Sequence, residues 1–119
     1  MLSDVDLCLD TGHLALGGCD PATLVGRVPG RIRHVHLKDV RPDIAAAVGA
    51  GTIAYADGVN RGLYVPLGEG SARIGAVLHA LERAGYDGWY VFEQDVMLTR
   101  PPDGPPAWIR ASLDFVKAR

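Results

Sequence analysis

The sequence predicts an α/β fold on a parallel sheet, and three observations carry that expectation. Extended and helical segments alternate in the order strand, helix, strand, insertion, helix, strand, helix. The first strand–helix–strand run is a β-α-β unit, which implies parallel strands joined by a right-handed crossover. Each strand also ends in a polar side chain, Asp10, His36 and Glu93 in turn. In parallel sheets, function collects at that C-terminal end.

Val5–Leu9 reads as a short apolar strand running into Asp10-Thr11-Gly12-His13, with Asp10 on the same face as Cys8 and Asp6. A loop is expected after Asp10, with Gly12 letting it turn tightly and Gly17-Gly18 breaking the chain. Asp20 N-caps a brief helix, Pro21 to about Val28, which Pro29-Gly30 stops. In the strand Ile32–Leu37, His34 and His36 project from one face, Val35 and Leu37 from the other. Lys38, Asp39 and Arg41 then form a charged loop.

A long excursion follows. Asp43–Val48 reads as helical, Gly49–Gly51 interrupts it, and Thr52–Asn60 reads as a second helical piece ending near Gly62. Leu63–Leu67 runs extended into the turn Gly68-Glu69-Gly70, where Glu69 serves the loop conformation. An insertion of this length reads as a lid or binding loop. Ser71 is expected to cap the next helix, whose apolar stripe is Ile74, Val77, Leu78 and Leu81, with Gly85 as the stop. Trp89–Glu93 is the third strand. Pro101–Pro106 is a proline-rich loop before a terminal helix, Pro106–Lys117, with Ile109, Leu113 and Val116 as its apolar face, widened by Trp108 and Phe115.

Length and composition bound the function. A chain of 119 residues supports one domain with a real core. A formal net charge of −2 gives no electrostatic reason to expect nucleic acid or an anionic membrane. No apolar run approaches the roughly 20 residues of a membrane span, and Asp4 and Asp6 interrupt any signal-peptide pattern. Cys8 and Cys19 lack a CxxC partner and make no disulfide framework, which fits a reducing cytoplasm. There is no GxGxxG after a strand, no GxxxxGK[ST] and no GxSxG elbow.

The strand-end set does have a chemistry. Two carboxylates and an imidazole suit a divalent metal such as Mn²⁺, Co²⁺, Mg²⁺ or Zn²⁺. Three protein ligands leave room for substrate oxygens or water, and such a metal polarises a carbonyl or acidifies a bound water. The same three residues can equally be hydrogen-bonded polar ends of strands. His13 is placed to hydrogen-bond a substrate hydroxyl. His34, one pleat below His36, reads as a support for it, and His79 as a surface residue. Lys38, Asp39 and Arg41 are candidates for binding polar substrate groups or for proton transfer.

Several runs resemble a known family. Leu9-Asp10-Thr11-Gly12-His13 with Gly17-Gly18-Cys19-Asp20-Pro21 is similar to the xylose-isomerase-like TIM barrels of sugar isomerases, epimerases and dehydratases. His34–Arg41, Pro66–Gly70 and Gly85–Trp89 followed by Glu93-Gln94-Asp95 narrow the resemblance to the inosose dehydratases. The resemblance covers the chain from about Val5 to the final helix. It implies a partial TIM (β/α)₈ barrel, with residues 1–119 as its C-terminal part and the last three βα units of eight. It also implies a divalent metal, Mn²⁺ or Co²⁺, held by Glu, Asp, His and Glu from four strands. Asp10, His36 and Glu93 match three of these, and the first Glu and N-terminal half lie outside the chain. His13, Lys38 and Arg41 match positions near the substrate, with Lys38, His13 and Asp39 as candidate catalytic residues. The implied reaction is dehydration of the polyol ketone 2-keto-myo-inositol to a trihydroxycyclohexanedione. A ketose or hydroxypyruvate isomerase or epimerase is the alternative, and a non-catalytic remnant a third reading. Three parallel strands without barrel closure leave edges and a face exposed. The chain alone is therefore expected to be inactive and either poorly stable, self-associating as a homo-oligomer, or dependent on a complementary N-terminal half.

Overall fold

The strand Ile32–Leu37 is the centre of the molecule. In the computed structural model, which describes residues 5–97 and 105–119, it is β2 of a parallel sheet of order β1-β2-β5. Its neighbours are β1 (Leu7–Asp10) and β5 (Trp89–Phe92). The helices α1 (Thr11–Leu16) and α2 (Pro21–Arg27) and a 3₁₀ turn (Pro29–Arg31) connect β1 to β2. Between β2 and β5 come β3 (Asp39–Val40), α3 (Pro42–Gly49), α4 (Tyr55–Asn60), β4 (Tyr64–Val65) and α5 (Ile74–Arg83). The chain ends in α6 (Pro105–Lys117). The loop read at Pro101–Pro106 falls largely outside the described residues.

The pleat of β2 divides the sheet into two unlike faces. Val35 and Leu37 are fully buried, together with Leu9 of β1, Val25 of α2 and Ile74, Val77 and Leu81 of α5. Helices α2 and α5 pack on each other over this face. The pairing slips between Leu7 and Cys8, where β2 advances by two residues for one, so Ile32 is buried alongside Val35. The opposite face carries Cys8 and Asp10, His34 and His36, and Trp89 and Val91 in register. It is covered by no helix among the described residues, and Trp89 is 78% exposed.

The dimensions agree with this one-sided packing. The molecule measures 42 × 33 × 20 Å, with a radius of gyration of 14.6 Å, against about 13.5 Å for a typical globular chain of this length. A thickness of 20 Å holds a sheet and one helical layer and no more. Parallel sheets are normally covered on both faces. Among the described residues, both outer strands also have an unpaired edge. We expect the isolated chain to associate with itself as concentration rises, in sedimentation velocity between micromolar and hundreds of micromolar. A single monomeric species with cooperative unfolding over that range would contradict this.

Four local expectations are corrected. The segment after Asp10 is a helix and not a loop, because the Asp10 side chain accepts a hydrogen bond from the His13 N–H and caps α1. Gly12 is needed for packing instead of turning: a Cβ there would lie 2.7 Å from Lys38 Cβ and 3.0 Å from the Tyr64 ring. Asp39 and Val40 do not begin a charged loop but pair antiparallel with Val65 and Tyr64. Ser71 does not cap α5; its hydroxyl bonds the Val40 carbonyl, and Arg73 stands at the N-cap with φ 55°, tied to Asp20 at 2.8 Å.

The apolar face of α6 is also rotated from the expected one. Ile109 and Leu113 are exposed, whereas Ser112 is buried and its hydroxyl accepts from the Leu67 N–H at 3.0 Å. Phe115 and Val116 do reach the core, with Phe115 closed against Gly68. The helix is thus anchored on the Leu67–Gly68 turn. No helix among the described residues is long and apolar enough to cross a membrane.

Candidate metal centre

Asp10 has two tasks that follow from where β1 stops. As N-cap of α1, its Oδ1 accepts from the His13 amide at 2.9 Å. Its Oδ2 lies 3.1 Å from His13 Nδ1 and 3.4 Å from Lys38 Nζ. The helix cap therefore fixes the carboxylate and leaves one oxygen turned to the sheet mouth. On the adjacent strand His36 is paired in register with Asp10, and on its other side with Val91. Glu93 follows β5 directly, its N–H donating to the Leu37 carbonyl, so the sheet ladder positions it as well.

These three side chains meet. One donor atom from each of Asp10, His36 and Glu93 lies within 4.8 Å of the other two. His36 Nδ1 is 3.0 Å from Glu93 Oε2. Ligands at about 2.1 Å from a common ion stand roughly 3–4 Å apart, so modest closure brings all three into a first coordination sphere. The donors are two oxygens and one nitrogen, a set that suits Mn²⁺, Co²⁺ or Zn²⁺. Below them the rings of His34 and His36 meet edge to face, with centroids 5.0 Å apart. Cys8 is on the same face, outside the group of three, and desolvation, with the charges of Asp10 and Glu93 added, raises its thiol pKa.

Lys38 stands within the same group. Its ammonium is 3.0 Å from Glu93, 3.3 Å from Asp95 and 3.4 Å from Asp10, so three carboxylates surround it. Thr11 grips its backbone from both sides, accepting from the Lys38 N–H at 2.8 Å and donating to its carbonyl at 2.6 Å. Burial acts to lower the Lys38 pKa, but the hydrogen bond to Glu93 and the charges of Asp10 and Asp95 outweigh it. The group is held well above its ordinary value. Such a state suits a fixed positive charge and not a proton acceptor.

Of the other residues singled out in the sequence, His13 lies at the site, and Asp39 and Arg41 are engaged away from it. His13 is exposed at the mouth, beside Asp10. Asp39 is 1% exposed, and its two oxygens accept four amide N–H bonds, from Val40, Gly68, Gly70 and Ala72. It braces the Gly68–Ala72 turn, with no oxygen turned to the strand ends. Arg41 points its guanidinium at Asp43 at the start of α3, two contacts of 3.2 and 2.7 Å. That fork holds the Asp43 carboxyl below its ordinary pKa.

Three residues of the site were not legible as such in the sequence. The insertion brings Tyr55 of α4 and Tyr64 of β4 together, hydroxyl to hydroxyl at 3.0 Å, and Tyr55 reaches Asp95 at 3.4 Å. Tyr64 is buried with its ring 5.5 Å from the Lys38 ammonium. Burial first, and then the bond to Tyr55, raise the Tyr64 pKa far above the usual phenol range, so its hydroxyl stays protonated. Isolated tyrosines in an insertion give no periodic signal, and only the length of that insertion pointed toward the site.

The chain is 37% identical over 91 residues to an inosose dehydratase of Lacticaseibacillus casei, and 39% identical over 99 residues to one of Geobacillus thermodenitrificans. It is 40% identical over 91 residues to the rhizopine catabolism protein MocC of Rhizobium meliloti. These alignments take in 76–82% of this chain but only 28–33% of the relatives, so the chain spans about a third of their length. Among solved structures, a D-tagatose 3-epimerase-like protein superposes on 98% of the chain, and 37% of its own, with a TM-score of 0.59 at 21% identity. That likeness concerns the fold. The family profile described as xylose isomerase-like TIM barrel matches residues 2–119. With parallel strands in β/α order and their polar ends gathered at one edge, the chain belongs to the xylose isomerase-like TIM barrel family.

Proposed function

We propose that residues 1–119 are the C-terminal part of a barrel that dehydrates a polyol ketone, 2-keto-myo-inositol, with a divalent cation held by Asp10, His36 and Glu93. The convergence of those three donors at adjacent parallel strand ends is the observation that carries this reading. The substrate comes from the inosose dehydratases to which the chain is similar. Mn²⁺ or Co²⁺ is the ion proposed, with a further carboxylate ligand supplied from outside these residues. When bound, the ion would polarise the ketone and acidify the neighbouring C–H.

The remaining roles belong to the protein's own groups. Lys38 supplies a fixed positive charge beside the oxygen on which negative charge develops. His13, exposed at the mouth, hydrogen-bonds a substrate hydroxyl and is placed to move a proton there. The Tyr55 hydroxyl lies at the same rim, between the Tyr64 hydroxyl at 3.0 Å and the Asp95 carboxylate at 3.4 Å. Asp39 is assigned to the fold and not to the chemistry.

The test is a product assay on the longer polypeptide carrying the remaining βα units. With Mn²⁺ and 2-keto-myo-inositol, formation of the dione is expected, and the 119-residue chain alone is expected to give none. Interconversion of ketoses with no dione would refute the dehydratase reading in favour of an isomerase or epimerase.

A further inference from the structure

The deepest-set charge in the site is a cation, and it shares its oxygens with the proposed metal. Lys38 is 4% exposed overall, yet its ammonium faces Asp10, Glu93 and Asp95. Two of those are also metal-ligand candidates. The side chain has little freedom to leave. Thr11 fixes its backbone, Gly12 packs against its Cβ, and the Tyr64 ring lies under its head. Three carboxylates against one ammonium leave a net charge of −2, which a single divalent ion neutralises.

We propose that Lys38 is a built-in counter-cation that cancels one of the three carboxylate charges and so matches the site to one divalent ion. This rests on the metal reading above but goes beyond it, since it assigns a residue that limits affinity rather than one that supplies it. Asp95 is the complementary element. It contributes charge to the site through Lys38 and stands among the ligand candidates without being one of them.

The charge balance can be tested by Mn²⁺ titration of the full 119-residue chain, reading free Mn²⁺ by electron paramagnetic resonance. Lys38→Met is expected to tighten Mn²⁺ binding about tenfold, the change for a unit charge a few ångström from a divalent ion at near-aqueous dielectric. Asp95→Asn, at a half-exposed carboxylate that leaves the fold intact, should weaken it about tenfold by the same argument. The double variant should return close to the parent affinity, which a merely structural role for Lys38 would not produce. Weaker binding by Lys38→Met, or parent affinity in Asp95→Asn, overturns the proposal. Should Lys38→Met fail to fold, the Asp95→Asn result alone decides. If the parent chain binds no Mn²⁺ but Lys38→Met does, the counter-cation role stands and the metal reading of the native site falls. If none of the chains binds Mn²⁺, both fall.

Discussion

Replacing Asp39 by alanine is expected to destabilise the chain by about 3–5 kcal/mol, the range for deleting one partner of a buried, charge-assisted hydrogen-bond set. Its Oδ2 takes the amides of Gly68 and Gly70 at 2.9 and 3.1 Å, and its Oδ1 those of Ala72 and Val40 at 2.9 and 3.0 Å. Alanine leaves these four donors without their acceptor, and those of Val40 and Ala72 are fully buried. The turn cannot re-form around a larger residue either. A Cβ on Gly70 would clash with both Asp39 Oδ1 and the Val40 carbonyl, and the second contact is backbone. Asp39→Asn is expected to be nearly as harmful, because an amide nitrogen would face incoming N–H groups. In urea denaturation followed by far-ultraviolet circular dichroism, the alanine variant should lose roughly 2 M in midpoint, at a slope of about 2 kcal/mol/M. A change of under about 0.5 kcal/mol would show that the turn is held by other contacts.

The consequence reaches the site, which is why the effect matters for function. The turn braced by Asp39 carries Leu67 and Gly68, on which α6 is anchored through Ser112 and Phe115. It also follows β4, whose Tyr64 lies under Lys38. A residue read from the sequence as a catalytic candidate thus supports the position of one that faces the strand ends. Asp39 and Lys38 are neighbours in the chain, and charge spacing cannot say which of two adjacent polar residues turns inward to amides and which to carboxylates.

Much of the frame was legible for physical reasons. The alternation in His34-Val35-His36-Leu37 sets two faces, and the structure buries Val35 and Leu37 while leaving both imidazoles half-exposed. The stripe in Ile74–Leu81 has helical period, and its members fill the layer over the sheet. The Asp20-Pro21 start also held, with Asp20 accepting from the Ala22 N–H. What escaped depends on non-local contacts. The six-residue helix α1 is too short to show a period, and its cap was hidden because the capping carboxylate is also the candidate ligand. The true start of α5 lies at Arg73, whose left-handed backbone is stabilised by partners distant in sequence and not by a capping residue. On α6, Phe115 and Val116 pack inward as the spacing predicts, but Ile109 and Leu113 do not, because the Leu67–Gly68 turn takes Ser112 beside Phe115.

The largest effect expected on ligand binding comes from the three strand-end residues. Each of Asp10→Ala, His36→Ala and Glu93→Ala removes one of three protein ligands, and with only three present the remainder cannot hold an ion of six-coordinate habit tightly. A loss of at least about 100-fold in Mn²⁺ affinity is expected for each, at the upper end of what outer-shell partners alone cost. Stability should respond differently among them. Asp10→Ala also removes the cap of α1, worth about 1 kcal/mol, whereas His36→Ala and Glu93→Ala leave the buried face of the sheet untouched. His34→Ala serves as the contrast, since that ring supports His36 from below and donates nothing to the group of three.

The most direct measurement is therefore Mn²⁺ binding by the parent chain and by these four variants, counted by electron paramagnetic resonance at equal protein concentration. One ion per chain is expected in the parent, retained in His34→Ala and lost in Asp10→Ala, His36→Ala and Glu93→Ala. Mn²⁺ affinity unchanged in all three alanine variants would contradict this, and the strand-end residues would then be polar termini satisfied by Lys38 and by one another.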